Sequence, residues 1–216
     1  MPIALTLASN ATWEFLIKGG VFMAPLGIAA FVGLTAIIFK FLSLARSRVI
    51  PDSLVKAVVQ MERYDAEARA SLEREMSQGD STLARLLGVA MRHQDRPQGD
   101  MKMAVEASAR EEASRLHAGI AVIDMVITVA PLLGLLGTAS GLVTIFDGWS
   151  DDSDWVKIGL GIAQALNTTI LGLAIAVPCV VAHAYFTRRI EVFSAKLEAL
   201  LAQFAASCQA KPEADK

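Results

Sequence analysis

The sequence predicts an all-α membrane protein with three transmembrane helices, the second and third extended into a cytoplasmic helical bundle. Three observations predict it. Of 216 residues, 54% are hydrophobic and only 19% charged, below the roughly 25% charged of an average soluble domain. The deficit is concentrated, because Gly19–Phe39, Met125–Phe146 and Ile158–Thr187 contain no Asp, Glu, Lys or Arg. These windows are 21, 22 and 30 residues long, and about 20 apolar residues cross a bilayer core about 30 Å thick. The remaining sequence is too short to cover three such segments in a soluble core, and composition also excludes a disordered chain or a disulfide scaffold.

Taken in order, residues 1–18 are expected outside, with a short interfacial helix over Thr12–Lys18. Met1–Leu7 is short for a signal-peptide core and lacks a basic start, so no cleavage is expected there. Residues 19–44 form the first span, 119–146 the second and 158–187 the third. Each is expected to be helical, since hydrocarbon offers backbone amides no other partner. Orientation follows the basic flanks. Lys40, Arg46 and Arg48 follow the first uncharged window, Arg110 and Arg115 precede the second, and Arg188 and Arg189 follow the third. The 147–157 loop has four acids and one base, so it and the N-terminus are assigned to the periplasm. Trp13, Trp149 and Trp155 fall on that outer side, as interface anchors do.

The 45–118 region carries twelve basic and twelve acidic residues and is expected to be a solvated cytoplasmic helical region. Breaks are expected near Gln78–Asp80 and Arg96–Asp100, with a helix over Ser81–His93 burying Leu83, Leu86, Leu87 and Met91. From Met101 to Ala130 no proline or loop cluster intervenes, so one helix is expected to run straight into the second span. After the third span, 188–216 is a cytoplasmic amphipathic helix and tail. Ile190, Phe193, Leu197, Leu200, Leu201 and Phe204 recur there at helical spacing, and Lys211–Lys216 should fray.

Chemistry is sparse. His93, His117 and His183 are scattered, and no phosphate-binding loop or nucleophile elbow occurs, so no enzyme activity, metal or cofactor is expected. Cys179 and Cys208 give no disulfide, and a net charge of −2 gives no reason to expect a nucleic-acid partner. The informative residues are polar ones within the spans, where they are costly. Gln164, Asn167 and Thr168 lie at i, i+3 and i+4 with Thr169 beside them, and the second span carries Asp124, Thr128, Thr138, Ser140 and Thr144. For any single Thr, a bond to its own backbone or to a neighbouring helix is the bland alternative. Gly134, Gly137 and Gly141 in the second span and Gly159, Gly161 and Gly172 in the third are positions for close helix packing, and Pro25, Pro131 and Pro178 lie at or within the spans.

The run Ala130-Pro-Leu-Leu-Gly-Leu-Leu-Gly-Thr-Ala-Ser-Gly141 resembles the ExbB/TolQ/MotA family of ion-driven motor subunits, most closely its three-span ExbB and TolQ branches. So does the run from Gly161 to Pro178, which contains Ala-Gln-Ala-Leu-Asn-Thr-Thr. The resemblance implies a homopentamer in the bacterial inner membrane, enclosing an ExbD/TolR-like single-span partner with a membrane Asp. Such an assembly acts on a TonB- or TolA-like protein. It further implies that Thr138 and Thr169 face the partner's Asp, with Gln164, Asn167 and Thr168 along the ion path. The transported ion would be H⁺, with Na⁺ as the alternative. The sequence departs from the family at Gln164, where ExbB and TolQ members usually carry Glu. A non-conducting scaffold is the competing reading; a four-span flagellar stator fits three windows less well.

Overall fold

The computed structural model describes residues 20–61, 81–93, 97–147 and 155–209, and these are helical apart from short connections. The helices are α1 (Met23–Ser43), α2 (Arg46–Val49), α3 (Asp52–Met61), α4 (Thr82–Arg92), α5 (Gln98–His117), α6 (Ile120–Asp147) and α7 (Trp155–Gln209). The expected interfacial helix at 12–18, Trp13, the break at 78–80, Trp149, the loop acids at 151–154 and the 211–216 tail lie outside the described residues. Three segments are long and apolar enough to cross a membrane; they contain the second and third uncharged windows of the sequence and the first from Met23 onward. At 1.5 Å per residue, α6 alone reaches about 42 Å, more than a hydrocarbon core requires.

The chain divides into two compact units. One contains α1 as far as Phe39, all of α6 and α7 as far as Ala184; the other contains residues 40–118 and 185–216. Within the first, Gly33 of α1 faces Cys179 and Val126: a methyl group added there would lie 3.1 Å from Cys179 Sγ. Large side chains such as Phe31, Leu34, Leu135 and Val177 stay more than half exposed on this unit. A soluble protein would bury such a surface, whereas lipid or a neighbouring subunit covers it in a membrane.

The second unit is built as a water-soluble protein is. Ser81 caps α4, its hydroxyl accepting from the Ala84 N–H at 3.2 Å. Leu83, Leu86, Leu87 and Ala90 then turn inward, while Met91 is half-buried. Ile190, Phe193, Leu197, Leu201 and Phe204 bury the matching stripe of α7, and Leu200 sits at its edge. Arg85 grips the Glu112 carboxylate with two bonds of 2.6 and 2.8 Å. That pairing, reinforced by Arg115 and opposed by desolvation, holds the Glu112 carboxyl below its ordinary value. Glu112 belongs to α5 and lies outside the apolar spans.

One expectation is corrected here. No single helix runs from Met101 to Ala130: α5 stops at His117 and α6 restarts at Ile120. Gly119 lies between them at φ +86°, a left-handed conformation that suits glycine. The ended helix leaves carbonyls without intrahelical donors. Lys40, only 1% exposed, supplies them: its ammonium donates to Leu116 O at 2.5 Å and to Ala118 O at 2.6 Å. A cation at a helix C-terminus is also favoured by the helix dipole. In the sequence Lys40 read only as a topology signal; in the fold it is the donor that makes this break tolerable. Replacing it by Met keeps the stem but leaves the buried Leu116 carbonyl and the part-buried Ala118 carbonyl without their donor, at a cost of about 2 kcal/mol. The melting midpoint of purified Lys40→Met should therefore fall by about 4 °C or more. Exposed Lys56→Met is the control and should melt as wild type does.

Candidate functional site: a hydroxyl cluster between two spans

The polar cluster lies where α6 and α7 touch. Their backbones approach because glycine removes the side chains that would hold them apart. A methyl group at Gly134 would lie 2.8 Å from Thr168 O and 2.9 Å from Thr169 Cα. One at Gly137 would meet Thr168 Oγ1 at 2.6 Å, one at Gly141 would meet Ala165 Cβ at 2.8 Å, and one at Gly172 would meet Ala130 O at 2.5 Å. Of the six glycines singled out for packing, these four are at this contact, and so is Gly161, facing Ile145 at 2.8 Å on the same criterion; at Gly159 nothing lies within 4 Å.

Hydroxyls separate into two groups at this point. Thr35, Thr128 and Thr144 donate to the carbonyl four residues earlier on their own helix, at 2.8, 3.1 and 3.0 Å. That is the bland role of a membrane threonine. Thr138, Thr168 and Thr169 instead cross between helices. Thr138 Oγ1 is 3.1 Å from Gly134 O on its own helix and 3.1 Å from Ala165 O on α7. It is also 2.5 Å from Thr169 Oγ1. Thr169 Oγ1 reaches Gly134 O at 3.0 Å, and Thr168 Oγ1 reaches Gly134 O at 3.0 Å and Ala165 O at 2.8 Å. Three hydroxyls therefore share two carbonyl oxygens.

The three differ in exposure. Thr168 is 1% exposed, seated in the notch left by Gly137, whereas Thr138 and Thr169 are half-buried at the edge of the contact. The buried line of α7 in this unit runs through Ala165, Thr168, Gly172, Ala176 and Cys179. Gln164 sits about a quarter-turn to one side of that line, and Thr169 lies on the other. Gln164 is accordingly exposed and Asn167 half-buried. Among the described residues no hydrogen bond joins either to the cluster, so the i, i+3, i+4 stripe is split. Ala165 and Gly134 enter through their main-chain oxygens, which side-chain chemistry in the sequence could not indicate. Among the described residues, no group of three His, Cys, Asp or Glu side chains is placed to hold a metal ion.

A chain with three membrane-crossing helices, two of them joined through glycines and threonine hydroxyls, is a multi-pass membrane protein with a polar seam inside its apolar part. Residues 47–199 match the family model described as the MotA/TolQ/ExbB proton channel family. The chain belongs to that family, one of channels and transport. An ExbB-like biopolymer transport protein of Synechocystis is 33% identical over 184 residues, covering 82% of this chain and 70% of the relative. Biopolymer transport protein ExbB of Helicobacter pylori is 36% identical over 83 residues, covering 38% and 57%. The Tol-Pal system protein TolQ of Pseudomonas aeruginosa is 31% identical over 91 residues, covering 41% and 39%.

The glycine contact has a direct test. Alanine at Gly172 must displace the Ala130 carbonyl, which is backbone and cannot swing aside, at about 1–3 kcal/mol. Alanine at Gly27, where nothing lies within 4 Å, instead gains helix propensity of about 1 kcal/mol. Melting of the purified variants should place Gly172→Ala several degrees below wild type, and Gly27→Ala level with it or above.

Proposed function

We propose that this chain is a subunit of an inner-membrane motor that couples the flow of ions to mechanical work in the cell envelope. The observation that carries the reading is the Thr138–Thr169 hydroxyl pair, 2.5 Å apart at the edge of the α6–α7 contact, in a member of a proton channel family. In this reading five copies surround a central path lined by α6 and α7. An ExbD/TolR-like partner contributes one membrane helix with an Asp to that path. The N-terminus faces the periplasm and the C-terminus the cytoplasm. Movement of the partner is passed to a TonB- or TolA-like protein, serving outer-membrane transport or envelope maintenance.

The chemistry asked of the chain is modest. A carboxylate carried into hydrocarbon is costly unless it is hydrogen-bonded. Thr138 and Thr169 supply oxygens that both donate and accept, so they can meet the partner's Asp in either protonation state. Thr168, buried beneath them, supports the pair and does not itself meet the ion. Gln164 and Asn167 face away from the α6–α7 contact and are available to a neighbouring subunit. An amide does not exchange a proton in the physiological range. With Gln at 164, the partner's carboxylate is the titrating group of the central zone. H⁺ is the first assignment for the ion. The neutral oxygens of Gln164, Asn167 and the threonines make Na⁺ the second.

Gln164 also favours one competing reading, a non-conducting scaffold whose polar residues only join subunits. The two part in a flux measurement. In proteoliposomes holding this chain and its single-span partner, an H⁺ or Na⁺ gradient should drive flux. The Thr138→Val, Thr169→Val double variant should reduce that flux at least tenfold while the assembly stays intact. Equal flux from the double variant would overturn the role of the hydroxyls, and absence of flux from the wild type under both gradients would favour the scaffold.

A further inference from the structure

The seam offers its three hydroxyl protons one main-chain lone pair too few. Each threonine hydroxyl carries a single proton, and each carbonyl oxygen has two lone pairs. Both carbonyls lie within α-helices, so one lone pair of Gly134 O takes the amide of Thr138 and one of Ala165 O takes the amide of Thr169. Two lone pairs remain for three hydroxyl protons. Thr168 is 1% exposed, and its reach is to these same oxygens, at 2.8 and 3.0 Å. It therefore occupies one of the two. Thr138 and Thr169 compete for the other, and whichever loses must donate to its hydroxyl neighbour or outward.

We propose that Thr168 is a positioning residue: by occupying an inner carbonyl lone pair, it keeps one proton of the Thr138–Thr169 pair free to turn toward an acceptor outside the α6–α7 contact. Without its hydroxyl the count balances. Thr138 then donates to Ala165 O, Thr169 donates to Gly134 O, both at distances already in place, and neither proton is free. The proposal rests on the reading that a partner's carboxylate meets this pair. A freed hydroxyl donating to that carboxylate favours its charged form and lowers its pKa. Loss of the donor raises that pKa, so the midpoint of flux against pH should move upward.

Other titratable groups on the helices of this unit stand well away from the pair. Asp124 and Asp147 on α6, and Lys157, Cys179 and His183 on α7, are nine or more residues along their helices from Thr138 or Thr169. That is about 14 Å or more. Within α1, Met23–Phe39 carries no charged residue. The midpoint therefore reports the carboxylate that faces the hydroxyls.

The test uses the complete complex of this chain with its single-span partner in proteoliposomes, with an internal pH-sensitive dye. Thr168→Val preserves the branched shape in the Gly137 notch and removes the hydroxyl. Flux should fall about three- to tenfold, and its midpoint should rise by about one pH unit, the size of one hydrogen bond to a charged group. Thr168→Ser restores the hydroxyl and should restore both values. If the Val variant does not assemble, Thr168→Ala also deletes the hydroxyl and should show the same upward midpoint. A hydroxyl-free variant that assembles with wild-type flux and midpoint overturns the proposal, as does failure of Ser to restore them. If Thr138→Val and Thr169→Val also leave flux unchanged, the reading of the site fails with it. If those abolish flux while Thr168→Val does not, this inference alone fails.

Discussion

Inside a bilayer no water is at hand to satisfy a stray hydroxyl or carbonyl, so polar groups must find one another. Among the described residues, the hydroxyls that cross between helices converge on the carbonyl of Gly134, which lies within reach of three threonine hydroxyls from two helices. That convergence requires the α6 and α7 backbones to touch, and they touch because Gly134, Gly137, Gly141 and Gly172 leave no side chain between them. Dispersion and hydrogen bonding, not hydrophobic burial, are what join helices in lipid. The seam uses both. The half-buried hydroxyls at its edge share their carbonyl acceptors with the buried one of Thr168.

A comparable constraint operates in the second unit, in a different chemical form. There Arg85 closes on Glu112, and Lys40 closes on the end of α5. A buried ammonium with main-chain oxygens as its partners is an expensive choice for stability alone, because desolvation opposes it. Its location explains it. The carbonyls of Leu116 and Ala118 lie where the helix stops before Gly119, and they would otherwise be orphaned.

The three long apolar helices were legible in the sequence because length and absence of charge dictate them directly. The glycines were legible as packing positions, since removing side chains is their one contribution in a membrane helix. Other features were not legible, for identifiable reasons. The break at Gly119 was hidden because one glycine in a helical pattern carries no sign of its φ angle. Lys40 followed an apolar window as any topology-setting lysine does, and only the fold reveals that its ammonium is enclosed. Gln164, Asn167 and Thr168 share a stripe by spacing, but a stripe does not show where its edge meets the neighbouring helix. That edge separates a buried Thr168 from an exposed Gln164. The main-chain oxygens of Gly134 and Ala165 lay beyond any reading based on side-chain types.

We propose that the Thr138–Thr169 pair, sharing its carbonyls, is the surface this chain offers to an ionisable group of its partner. The most direct measurement is a cryo-electron microscopy structure of the complex at a resolution that places side-chain oxygens. The expected result is a partner carboxylate within about 3 Å of Thr138 Oγ1 or Thr169 Oγ1, with both hydroxyls still against Gly134 O and Ala165 O. A carboxylate seated elsewhere, with the hydroxyl pair turned to lipid, would contradict it.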